Sequence, residues 1–225
     1  MRTFKRYSTA EFVDFITSVP VKRRVTNVQI HHTVIPTLQQ YKDAADKEAI
    51  IRGMWRYHTT ERKFRDIAQH FTIAPDGVWD GRDLEWDSGG FMGVENDGGI
   101  CIEMIGNYDI GGEKFAYPLA EVAYRAVAAI LDRWPDADIR FHRDQPSARG
   151  KKTCPGTSID KFTFVSEVRV RRRPESFVAV VSGFVEEHDL PALSIPYWEA
   201  LSEASPSTTG ELFRRIAEAV HRSRR

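Results

Sequence analysis

Short stretches of strand-like alternation interleave with helical periodicity along residues 25–142, and that order predicts an α/β fold: a central mixed β-sheet flanked by helices. Two observations carry most of this expectation. Residues 100–106 form a short, mainly apolar run of the kind found in strands covered on both faces. Residues 118–133 repeat Leu119, Val122, Ala123, Val127, Ile130 and Leu131 at helical spacing, so a helix should pack on the sheet. A chain of 225 residues has room for one substantial core and a small appendage.

The elements follow in order. Ser8-Thr9-Ala10-Glu11 has the S-x-x-E capping-box form and leads into Phe12, Val13, Phe15 and Ile16, which predicts a short amphipathic helix ending near Pro20. Residues 1–24 are therefore read as a helical segment packed on the core. Residues 25–33 alternate, with Val28, Ile30 and His32 on one side and Gln29 and His31 on the other, so a strand is expected and His31 opposes its apolar face. Residues 42–61 are rich in helix formers and place Ile51, Met54 or Trp55, and His58 toward the core. Pro75-Asp76-Gly77 separates residues 67–74 from Val78 and Trp79, which predicts a hairpin.

Within 100–106, Cys101, Glu103 and Ile105 share one side, and a carboxylate in such a strand calls for a reason. Trp134-Pro135 closes the following helix, residues 139–142 end a strand, and a polar loop runs on to Cys154-Pro155-Gly156. The last sixty residues differ in character. Arg169, Arg171, Arg172 and Arg173 precede Pro174, further prolines punctuate the rest, and Leu212, Phe213, Ile216 and Val220 mark one amphipathic helix. The expected organisation is a catalytic-size domain over 25–165 and a basic linker with a C-terminal helical appendage over 166–225, suited to docking a protein partner.

Lysine and arginine total 32, against 32 aspartates and glutamates, so no global field draws the chain to nucleic acid or an anionic membrane. Two cysteines, Cys101 and Cys154, are too few for a disulfide scaffold and are free for burial or metal binding. The start of the chain lacks an apolar run of signal-peptide length, and no stretch of about 18 apolar residues occurs. Synthesis in the cytoplasm without a standard export signal, and no membrane insertion, are expected.

His31 on the first strand, His142 at a later strand end and Cys154 in the loop beyond form a chemically sound set for a catalytic zinc, which takes three protein ligands and leaves a position open. One thiolate leaves the centre with a residual charge of about +1, enough to acidify water and polarise a carbonyl. Lys152, two residues before Cys154, could reach a developing oxyanion. Glu103 would face the same cleft if its strand neighbours that of His31, and could move a proton. His32 and His58 read as packed residues and Cys101 as a small buried hydrophobe.

Ile30-His31-His32-Thr33, Asp66-Ile67-Ala68-Gln69-His70-Phe71, Pro75-Asp76-Gly77, Gly81-Arg82, the segment from Gly99 through Glu103 to Gly106, and Lys152-Thr153-Cys154-Pro155-Gly156 occur in that order over about 25–162. The chain thereby resembles the type 2 N-acetylmuramoyl-L-alanine amidases, zinc enzymes related to peptidoglycan recognition proteins and phage amidase lysozymes. The resemblance implies Zn2+-dependent cleavage of the amide between N-acetylmuramic acid and L-alanine, with peptidoglycan or a muropeptide as substrate. Carried over residue by residue, it implies zinc ligation by His31, His142 and Cys154, Lys152 as the transition-state lysine, and Glu103 as the catalytic glutamate of some members.

Gln69 stands where many members have a catalytic tyrosine; an amide cannot titrate, so the pattern fits the glutamate-using variant. Residues 86–97 also depart from the family's His-bearing loop. Gln69, Trp79, Arg82 and Trp86 are the candidates for substrate contact. The alternative is a recognition module that binds peptidoglycan without cutting it, against which the complete ligand set argues. Because peptidoglycan lies outside the membrane, the expected routes to it are lysis or a secretion apparatus, unless the substrate is a cytoplasmic muropeptide.

Overall fold

Six strands form one mixed sheet in the computed structural model, which describes residues 2–172. They are β1 (Arg6–Tyr7), β2 (Asn27–His32), β3 (Phe71–Ala74), β4 (Gly77–Asp80), β5 (Gly99–Met104) and β6 (Asp138–Phe141). The order across the sheet is β1-β4-β3-β5-β2-β6. Strands β3, β5, β2 and β6 run parallel, whereas β4 is antiparallel to both β3 and β1. The helices are α1 (Thr9–Ser18), α2 (Leu38–Asp43), α3 (Lys47–Arg56), α4 (Leu119–Arg133) and α5 (Lys161–Val170). Met1–Phe164 forms one compact unit and a second begins at Val165. Past residue 172 the appendage expected for 166–225 lies outside the described residues. No helix among the described residues is long and apolar enough to cross a membrane.

Period-two alternation divides the sheet into two chemically different faces. Val28 pairs with Ile100, Ile30 with Ile102, and Phe71 with Ile102, so these apolar side chains share one face, and all are buried. Phe12 of α1 meets Phe71 edge-on with ring centroids 4.8 Å apart, which puts α1 on this face, and α4 packs beside α1 and over β3. Each fully buried side chain of this size contributes about 1.5–3 kcal/mol of hydrophobic stabilisation. The capping box read at Ser8 is formed: the Ser8 side chain accepts from the Glu11 amide, and the Glu11 carboxylate accepts from the Ser8 N–H at 2.7 Å.

The opposite face carries a row of different character. Trp79 of β4 pairs with Thr72 of β3, Thr72 with Glu103 of β5, and Glu103 with His31 of β2. Helices α2 and α3 roof one end of this row, where Tyr41, Ile51 and Met54 pack around Trp79 together with Phe4, Ile67, Ala74 and Ile105.

Three elements differ from expectation. The single helix expected over 42–61 is two helices, because the Asp46 side chain caps α3 by accepting the Ala49 N–H at 3.0 Å, and the chain then winds through a wide turn over Tyr57–Glu61. The strand expected from residue 67 starts only at Phe71. Residues 66–70 are buried, yet their backbone is engaged elsewhere: the Ala68 N–H donates to Nδ1 of His58 at 3.3 Å, and the Arg82 guanidinium donates to the Ile67 carbonyl at 2.8 Å. Finally, β1 is too short for periodicity to reveal; it is held by pairing with β4.

Candidate metal centre

His31 sits one residue before the end of β2, and His142 follows directly on the last residue of β6, the strand that flanks β2 on its other side. Adjacent parallel strands bring the two imidazoles together, with ring centroids 4.7 Å apart. Cys154 arrives from the irregular segment after β6. Its carbonyl accepts the Arg143 N–H at 2.8 Å, and its Sγ lies 3.4 Å from the His32 N–H and 3.5 Å from Nδ1 of His31. One ligand atom from each of His31, His142 and Cys154 falls within 4.8 Å of the others.

One pair of these donors stands at the spacing a tetrahedral cation needs. Usual zinc–sulfur and zinc–nitrogen lengths at a tetrahedral angle place the two donors roughly 3.6 Å apart, and the Sγ–Nδ1 separation is 3.5 Å. Burial, followed by the neighbouring charges of His142 and His32, holds the His31 imidazole well below its ordinary value. Burial first, then the Lys152 ammonium, lowers His142. Both rings are thus kept neutral, the form that ligates a metal. Burial pushes the Cys154 thiol up, so a thiolate is stable here only beside a cation.

Glu103 stands beside the cluster on the same sheet face. It lies directly opposite His31 across the β2–β5 ladder and is half-buried; desolvation raises its carboxyl to about 7. A carboxyl titrating near neutrality can both accept and return a proton. Lys152, two residues before Cys154, is exposed, and its charge is among the causes that lower His142.

The remaining sequence candidates separate. Trp79, expected to contact substrate, belongs instead to the core: it is 6% exposed, and its Nε1 donates to the Tyr41 hydroxyl at 2.8 Å, leaving no ring face for a ligand. It shares the row of Glu103 but lies under α2 and α3. Gln69 is fully buried and donates to Thr72 Oγ1 at 2.9 Å, so it too has no surface for substrate; its Oε1 has no hydrogen-bond partner among the described residues. Arg82 braces loops through the carbonyls of Ile67 and Asp87. Trp86 is partly exposed, with the Arg65 guanidinium 3.5 Å from its ring centroid.

Phe91 also borders the site. It is buried and roofs both imidazoles, with centroids 5.0 Å from His31 and 5.3 Å from His142. Its trace in the sequence is the preceding Gly89-Gly90 pair: a Cβ on Gly90 would stand 2.6 Å from Nε2 of His31 and 2.7 Å from Sγ of Cys101, so only glycine lets this backbone approach the site.

A family model described as N-acetylmuramoyl-L-alanine amidase matches residues 21–157. A curated Sus scrofa protein named N-acetylmuramoyl-L-alanine amidase is 32% identical over 148 residues, which are 62% of this chain and 23% of that protein, so the chain spans less than a quarter of that relative's length. In fold the chain is similar to a point mutant of Drosophila PGRP-LB in complex with tracheal cytotoxin, with a TM-score of 0.51, 23% identity, and coverage of 64% of this chain and 82% of that one. It is likewise similar to the Ph2119 endolysin from a Thermus scotoductus bacteriophage, with a TM-score of 0.51, 16% identity, and coverage of 70% and 91%.

Proposed function

Because this chain belongs to the N-acetylmuramoyl-L-alanine amidase family, we propose that it is a zinc-dependent hydrolase of the amide joining N-acetylmuramic acid to L-alanine in peptidoglycan or muropeptides. The observation that carries the reading is the convergence of His31, His142 and Cys154 within 4.8 Å, beside a carboxyl opposite His31 that titrates near 7. When bound, zinc supplies Lewis acidity, polarising a carbonyl and lowering the pKa of water to about 7.

The residues of the chain then divide the work. Glu103 takes up a proton from the attacking water and returns it to the departing L-alanine nitrogen. The water oxygen ends on the lactyl carbonyl carbon as the C–N bond breaks, leaving a carboxylic acid and a free amine. The Lys152 ammonium faces the negative charge that develops on the carbonyl oxygen. Phe91 covers the imidazoles and limits access of bulk water to them. Trp86, partly exposed, is the aromatic of the original candidates that retains surface for a sugar or stem peptide.

The experiment is mass spectrometry of muropeptides incubated with the full chain, with and without a chelator. Release of free stem peptide that stops on chelation and returns with zinc is the expected result. Binding of muropeptide with no release in either condition would mark a recognition module and overturn the hydrolase reading.

A further inference from the structure

Cys154 and Lys152 lie on an irregular segment, yet both must be placed to within a fraction of an ångström for the proposed chemistry. Some of the fixing is local: the Lys152 N–H donates to the Ala148 carbonyl at 3.0 Å, and the Arg143 N–H donates to the Cys154 carbonyl. The Arg143 guanidinium also donates to the Gly156 and Ile159 carbonyls, the Ser158 N–H and hydroxyl donate to the Tyr108 carbonyl, and one carboxylate on the loop that follows β5 holds the stretch on either side of Cys154. Oδ2 of Asp109 accepts from the Thr153 hydroxyl and Oδ1 accepts from the Thr157 N–H, both at 3.0 Å. The two contacts straddle Cys154. The Ile110 N–H returns a bond to the Thr157 hydroxyl at 2.8 Å, and the Asp109 N–H is held by Oδ1 of Asn107 at 3.1 Å.

We propose that Asp109 is a positioning residue of the metal centre: by gripping Thr153 and Thr157 on either side of Cys154 it sets the sulfur against the imidazoles of His31 and His142, and orders the stretch that carries Lys152. Asp109 itself touches neither a ligand atom nor the reacting bond. Although burial alone would raise its carboxyl, the Thr157 and Thr153 bonds and the neighbouring His32 hold it below its ordinary value, so the anion that accepts both bonds persists at neutral pH. Residues that orient metal ligands from behind contribute heavily to affinity, typically about 10–100-fold. The inference rests on the zinc reading above.

The test is cobalt(II) titration of the chelator-stripped full chain, following the thiolate-to-cobalt charge-transfer band, with zinc affinity measured by competition against a chromophoric chelator. Asp109→Ala is expected to weaken both metals by about 10–100-fold. Asp109→Asn should stay within a few-fold of the parent, because its amide oxygen still accepts the Thr157 N–H and its nitrogen can donate to the Thr153 hydroxyl. Thr153→Val, which keeps the shape and drops one arm, should fall between them, and it serves as the deciding variant if Asp109→Ala does not fold. Parent-like affinity in Asp109→Ala or in Thr153→Val overturns the positioning role while leaving the zinc reading intact. A parent chain that shows no charge-transfer band overturns both.

Discussion

Glu103 and His31 are direct partners across two parallel strands, one a carboxyl raised to about 7 and the other an imidazole of the His31, His142 and Cys154 group. Neighbouring strands lie about 4.8 Å apart, so a proton acceptor and a candidate ligand project side by side from one rigid sheet rather than from mobile loops. Replacing Glu103 by Gln keeps the shape and abolishes titration. Turnover should fall by about 10²–10⁴-fold while the zinc content measured by elemental analysis stays at the parent level. Turnover close to the parent would remove Glu103 from the reaction.

The same carboxyl links pH to stability. Its folded value, about 7, exceeds the ordinary 4.5, so the folded chain holds this proton more tightly than the unfolded chain. Ionisation therefore costs stability progressively as pH rises from about 4.5 toward 7 and costs no more above that. A shift of this size corresponds to at most roughly 3–4 kcal/mol. In metal-stripped protein, Glu103→Gln should gain stability relative to the parent at about pH 8 compared with about pH 5, read from urea midpoints. An identical difference at both values would show that the carboxyl is not raised.

Removing the sulfur should act on the metal before the chemistry. Cys154→Ala should lose bound zinc on dialysis and with it activity, because two imidazoles alone make an incomplete site. Circular dichroism should remain that of the parent, since Cys154 closes no disulfide. Full zinc occupancy in the variant would mean that the cation sits elsewhere.

Trp79 and Trp86, alike in sequence terms, should behave in opposite ways. Trp79→Ala empties a site packed by Tyr41, Ile51 and Met54 and should destabilise the fold by about 3–5 kcal/mol, with KM unchanged for protein that remains folded. Trp86→Ala should change the unfolding free energy by no more than about 1 kcal/mol and raise KM for muropeptides. The reverse pattern would show that the core and the cleft have been misassigned.

The strand alternation that sets His31 apart from Ile30 is a local property, visible in residues 25–33 without knowing what the strand touches. The capping box at Ser8, the helix over Leu119–Arg133, and the residue types of the metal set were legible for the same reason: each depends on side-chain chemistry or on a spacing of a few residues. Even the break between α2 and α3 left a local trace in Asp46, masked by the helix formers around it.

Distance in the folded state had no such trace. Glu103 and His31 are 72 residues apart, and only the placing of β5 beside β2 made them partners. Alternation put Trp79 on a sheet face, but the roof of α2 and α3 turned that face from cleft into core. The near-neutral titration of Glu103 and the grip of Asp109 on the Cys154 segment likewise arise from desolvation and from bonds between loops far apart in the chain. By itself the sequence determined which groups could do chemistry and which way each strand turned them. The tertiary structure decided which of them meet and in what dielectric, because strand order and burial are outcomes of packing the whole chain at once.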